Sequence, residues 1–212
     1  DDRVGRYGIP NLERYVEAHP ELFVQAIVWS YNRNDGGVDP GEFQVPESAS
    51  QNMPERGHRL IGALERIPGQ DELQESDKAM RLANWIATVR QMSAELGRSE
   101  IADICIGELL SHAPIGNDGV WPFERLQQLM EEIQSEEVMR GAHTGVYNSR
   151  GVHSSEGGDQ ERQLAAKYRK WGESLQLSHP YVSSMLLMKL AQTYEHEANY
   201  EDMEVGLRRH LR

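Results

Sequence analysis

A single cysteine, Cys105, in 212 residues excludes an intrachain disulfide, so covalent cross-links do not hold this fold together. The chain also lacks an apolar run of about 18 residues and a leader with a basic start and apolar centre, which argues against a membrane span and for a soluble protein. Basic residues are in short supply: 22 Lys and Arg stand against 34 Asp and Glu, a formal charge of -12. That balance repels a phosphate backbone and disfavours general nucleic-acid binding. No stretch combines strict alternation, β-branching and hairpin turns, so a sheet is not expected.

Phosphate and metal signatures are missing as well. Neither GxxxxGK[ST] nor a GxGxxG between strand and helix occurs. His196-Glu197-Ala198-Asn199-Tyr200 opens like HExxH but carries Tyr200 where zinc needs a second histidine. The lone cysteine and the scattered histidines supply no four-ligand pattern, so no cofactor and no metal is expected. Cys105 itself sits in Ile101-Ala102-Asp103-Ile104-Cys105-Ile106, which reads as a helical core face and not as the strained turn of a nucleophile.

What the chain does have is helical periodicity. Pro20 suits a first helical turn, and the apolar run after it, through Trp29 and Tyr31, predicts a helical pair over 11–18 and 20–31. Residues 32–53 hold Asp35-Gly36-Gly37, Asp39-Pro40-Gly41 and Val45-Pro46, a density of turn signals that predicts a long surface connection. Pro54 opens a helix with Leu60, Ile61, Leu64 and Ile67 near one face, closed by Pro68-Gly69. The clearest stripe starts at Ser76, read as a cap, and runs through Leu82, Trp85, Ile86, Val89, Met92 and Leu96 to Gly97. Ser99 is read as the next cap, and Pro122 and Ser135 mark helices over 122–133 and 136–147. Tyr168, Trp171 and Leu175 form a further buried stripe, and Pro180 starts a long final helix whose stripe is Met185, Met188, Ala191, Tyr194 and Ala198. The last two helices are long enough to pack as an antiparallel pair.

The expected fold is therefore all-α: a multihelical bundle or irregular repeat-like array of about eight or nine helices. Residues 1–10 read as an upstream connection and 11–205 as the helical domain, with a candidate division into two packed subdomains near 68–76. Residues 206–212, with Arg208, Arg209, His210 and Arg212, read as a C-terminal tail that complements a helix dipole. The start at Asp1-Asp2-Arg3, without Met, reads as a piece cut from a larger polypeptide.

One dense polar loop, residues 145–159, is not explained by the helices. Its glycines permit tight turns, and Tyr147, Asn148, Arg150 and His153 are candidate recognition residues. The plainer reading has Tyr147 packing, Asn148 and Ser149 closing a turn, and Asp159 capping the next helix. A second polar set is Asp103, Glu108 and His112, since Glu108 and His112 are four apart on one helical face and support acid and base work or a helix-end hydrogen bond. The four tryptophans, Trp29, Trp85, Trp121 and Trp171, fall in or beside helices, where packing explains them.

Several segments, 102–114, Asp118-Gly119-Val120-Trp121-Pro122, 145–152 and 157–162, resemble a C-terminal helical module of large uncharacterised bacterial proteins, some with upstream segments that look like signalling or defence machinery. The resemblance spans residues 11–205 and carries over no catalytic residue. It implies a bacterial cytoplasmic setting and an accessory role: a noncatalytic module contacting a neighbouring domain or protein partner. The alternative is a hydrolase or nucleotide-processing domain using Glu108, His112, Arg150 or His153.

Overall fold

The computed structural model describes residues 10–44, 52–70, 76–150 and 158–210, with the backbone alone for 10, 76–79 and 205–210. All regular structure among them is helical. The chain divides into two compact units, Asp1–Ala113 and Pro114–Arg212. The boundary thus lies well beyond the expected 68–76. Pro68 and Gly69 are buried beside fully buried Ile67, so that turn is packed into the first unit and does not link two units.

The first unit contains α1 (Pro10–Ala18), α2 (Pro20–Ser30), α3 (Met53–Gly62), α4 (Ser76–Glu95) and α5 (Ser99–Leu110). Helix α2 is central because it is apolar on most of its circumference: Phe23, Val24, Ala26, Ile27 and Val28 are all buried. Pro20 occupies its first turn, where the missing N–H costs nothing. Helix α3 reaches α2 through Gly57, where a Cβ would lie 2.3 Å from Ser30 Oγ and 2.5 Å from the Ala26 carbonyl oxygen. Only glycine allows that approach. Helix α4 lays its stripe of Leu82, Trp85, Ile86 and Val89 into the core as its spacing predicts. Trp85 meets Phe23 edge-on at 5.0 Å, and its indole N–H donates at 3.1 Å to the Val16 carbonyl near the end of α1. Helix α3 stops at Gly62, short of the expected Pro68. Leu64 and Ile67 are still buried, but from an irregular segment.

The residues between α2 and α3 are less of a free surface connection than their turn signals suggest. Arg98, 3% exposed, forks onto both carboxylate oxygens of Asp39 at 2.6 and 2.8 Å and also donates to the carbonyls of Tyr31 and Leu96. Arg33 holds Asp35 and Asp39 from the other side. Asn34 N–H donates to the carbonyl of Gly97, whose φ of 64° ends α4. Arg98, not Ser99, is consequently the N-cap position of α5. Residues 45–51, including Val45-Pro46, lie outside the described residues.

The second unit contains α6 (Glu124–Ile133), α7 (Glu136–Ser149), α8 (Asp159–Leu175), α9 (Pro180–Val182), a π-helical turn (Ser183–Leu187) and α10 (Met188–His210), the last three forming one continuous rod. Counting that rod once gives nine helices among the described residues. Helix α6 begins two residues later than Pro122 suggests. Ser135 caps α7 as expected, its hydroxyl accepting from Val138 N–H at 3.2 Å. The Glu131 carboxylate from α6 accepts the Tyr181 and Val182 N–H groups, placing negative charge on the positive end of the rod.

Helices α8 and α10 are antiparallel: Gly158 faces Ala198, Tyr168 stacks on Tyr194 at 5.6 Å, and Gly172 faces Met188. A Cβ at Gly158 would fall 2.2 Å from the Ala198 carbonyl oxygen, so this glycine sets how closely the pair meets. Gly158, not Asp159, is the N-cap position of α8. Ser183, in the π turn, donates at 2.7 Å to the Gly172 carbonyl, and the extra residue of that turn rotates the apolar stripe. Leu186, Leu187 and Leu190 are fully buried, while Met185 and Met188 are half-buried, which corrects the expected stripe at its start. Trp171 is also only half-buried, lying under the Lys167 ammonium at 4.5 Å with its neighbours Tyr168 and Leu175 inside. The expected tail is helical backbone through His210.

Gly57→Ala should destabilise the first unit by about 1–3 kcal/mol, because the added methyl meets backbone that cannot swing away. Trp85→Ala should cost about 3–5 kcal/mol through its cavity and the lost N–H bond. Urea unfolding checks both; a change under about 0.5 kcal/mol at Gly57 would show that α3 does not lie tight on α2.

Candidate functional site

The polar segment singled out by sequence is only partly a loop. Helix α7 continues to Ser149, so Tyr147 and Asn148 are helical and Arg150 is the C-cap residue. Helix continuation turns the Arg150 side chain inward. It is 10% exposed, pairs with Glu161 of α8 and with Glu197 of α10 at 3.0 Å, and lies 5.1 Å from the Tyr194 ring centroid. The Tyr147 hydroxyl donates to the other oxygen of Glu197, and that bond is the main reason its pKa is raised. Arg150 is therefore a three-helix tie and not an exposed recognition residue. Asn148 is exposed and Tyr147 is 36% exposed, so the outward edge survives at these two positions. His153 and residues 151–157 lie outside the described residues, as do the side chains of Arg208, Arg209 and His210.

Glu197, in the HExxH-like segment, gives its two carboxylate oxygens to Tyr147 and Arg150. Among the described residues no group of three or more His, Cys, Asp and Glu is placed to hold a metal ion. No helix among them is long and apolar enough to cross a membrane.

The residues of the other polar set have different surroundings. Asp103 is buried and takes a two-pronged contact from Arg90 of α4, at 2.9 and 3.1 Å. Glu108 is half-buried on α5, and burial raises its pKa against the opposing pull of His58. Its electrostatic neighbours include Tyr31, at the end of α2, and Cys105. His112 lies past the end of α5 in a turn. Burial pushes the Tyr31 hydroxyl and the Cys105 thiol each up to about 12, so neither supplies an anionic nucleophile near neutral pH. Cys105 is 1% exposed, a core residue as its apolar run predicts.

Two open cavities, each of about 670 Å³, are found where sequence reasoning had not placed them. One, in the first unit, is bordered by Arg14, Arg66, Arg81 and Trp85. The other lies between α7 and α10. These helices run parallel with a constant offset, His143 meeting Thr193 and Tyr147 meeting Glu197. The cavity between them is lined by Met139, Arg140 and His143 on one side and by Met185, Lys189 and Gln192 on the other. Thr193 gives its hydroxyl proton to the Lys189 carbonyl at 3.0 Å and so accepts from His143 at 2.9 Å, which places the imidazole proton on Nε2. Burial, then the Lys189 charge, lowers the His143 pKa. The four-residue step from His143 to Tyr147 was visible in the sequence, but the pairing with residues fifty positions later has no local signal.

Comparison with protein-family models, curated proteins and solved structures finds no match to this chain.

Arg150→Ala should destabilise the second unit by about 3–5 kcal/mol, since Glu161 is left buried without its cation. Little change in denaturant midpoint would show that the tie is dispensable. His143 should make stability pH-dependent. Its folded pKa lies below the unfolded value of 6.5, so its contribution is intact above about 6.5 and is lost as pH falls through the folded value. The groups around it, Arg140 and Glu136 on α7 and Lys189, His196 and Glu197 on α10, stay in place in the test. His143→Gln should flatten the urea-midpoint profile between pH 7 and 5. An unaltered profile would assign the acid sensitivity to other groups.

Proposed function

We propose that this chain is a noncatalytic helical interaction or regulatory module, an accessory part of a larger bacterial cytoplasmic protein. The observation that carries the reading is the commitment of three of its reactive-looking side chains to structural ties. Asp103 is held by Arg90, Arg150 by Glu161 and Glu197, and Tyr147 by Glu197. A hydrolase or nucleotide-processing site would need such groups converging unpaired on one pocket. The contact surface in this reading is the edge where α7 ends. There Tyr147 and Asn148 face outward, and the large apolar side chains Tyr200 (59% exposed) and Met203 (66%) remain on α10. Exposed aromatic and Met side chains of this kind are favoured at protein contacts.

A photo-crosslinking residue at Asn148, in the full-length polypeptide expressed in its own cells, should join this edge to one defined domain or protein. The same residue at exposed Lys170 of α8 should not. Equal labelling at both positions, or a substrate turned over by the purified chain and lost on Glu108→Gln, would favour the enzymatic alternative.

A further inference from the structure

We infer that the cavity between α7 and α10 is a binding site for a small organic anion, a carboxylate or phosphate attached to an apolar body. Its volume of about 670 Å³ is that of a small-molecule pocket. Two of its lining side chains are cationic. Arg140 and Lys189 both line it, both are exposed, and neither is ion-paired with another described residue. In a chain with 34 acidic and 22 basic residues, bases are the scarce partner. Arg33, Arg90, Arg98 and Arg150 are drawn onto carboxylates, whereas Arg140 and Lys189 are not.

Two acids also line this cavity. Glu197 is already bound by Arg150 and Tyr147, which leaves one carboxylate, Glu136, against the two cations. The His143 pKa is lowered by burial and then by the Lys189 charge, so that charge reaches the imidazole. An anion's oxygens would accept from the Arg140 guanidinium and the Lys189 ammonium, the short charge-assisted bonds that hold phosphates and carboxylates. Its apolar part would lie on Met139, almost fully buried at the floor, and on half-buried Met185. The flexible thioethers of these two residues adapt to different shapes. Gln192 and His196 at the rim add further polar contacts.

The test is titration of the whole chain with phenyl phosphate, phenylacetate and the neutral 2-phenylethanol, followed by amide NMR and calorimetry. At least one anion should bind with a Kd of about 1 mM or tighter and shift the amides of Met139, Lys189 and Thr193, while the neutral alcohol binds about tenfold more weakly or less. The order of the two anions reports which headgroup the site takes. Arg140→Met and Lys189→Met, at exposed positions and so compatible with folding, should each weaken anion binding about tenfold. Equal binding of the neutral alcohol, unchanged affinity in both variants, or no shift in the groove up to about 20 mM of either anion would overturn the assignment.

Discussion

A guanidinium withdrawn from water cannot shed its proton, so the chain around it must supply anions and carbonyls at the geometry of a planar fork. Arg98 imposes this constraint in the first unit. Its acceptors are the Asp39 carboxylate and the carbonyls of Tyr31 and Leu96, drawn from three separate stretches of sequence. Satisfying them fixes where α2 ends, where the segment after it turns, and where α4 gives way to α5. The Arg98 guanidinium holds the Asp39 carboxyl below its ordinary range, as expected for a carboxylate that stays charged to serve it. Arg150 obeys the same rule in the second unit, with carboxylates from α8 and α10.

This constraint also divides the polar residues by role. Those that meet a buried guanidinium are structural, however reactive they look in isolation; Glu197 and Asp39 are examples. Asp103 serves the half-exposed Arg90 in the same way. The residues left over define where recognition is sought. Among them are Asn148 on the outward edge of α7 and Arg140 and Lys189 on the cavity between α7 and α10.

The helices were legible because burial repeats every three or four residues along them, as in Leu82, Trp85, Ile86 and Val89. The caps were legible only where the side chain itself bonds the first turn, as at Ser135. Ser99 and Asp159 resemble caps in sequence, yet the preceding Arg98 and Gly158 take those positions because tertiary contacts, with Asp39 and with Ala198, claim them. The π turn at Ser183–Leu187 was not readable, since its extra residue answers to the Gly172 carbonyl on another helix. The candidate site was read least well. Gly145 and the residues after it look loop-like in composition, but α7 persists through Ser149, and Arg150 finds two carboxylates at separations of 11 and 47 residues. Pairings at such range leave no trace in local periodicity.

The most direct test of the central claim is a double-mutant cycle between Arg98 and Asp39, using Arg98→Met, Asp39→Asn and the double variant in urea unfolding. If a buried guanidinium organises the first unit, the pair should show a coupling energy of about 2–3 kcal/mol, with Arg98→Met alone less damaging than Asp39→Asn. The asymmetry follows because Asp39→Asn strands a cation that is 3% exposed, whereas Arg98→Met leaves a carboxylate that Arg33 still reaches. A coupling energy under about 0.5 kcal/mol would contradict the account.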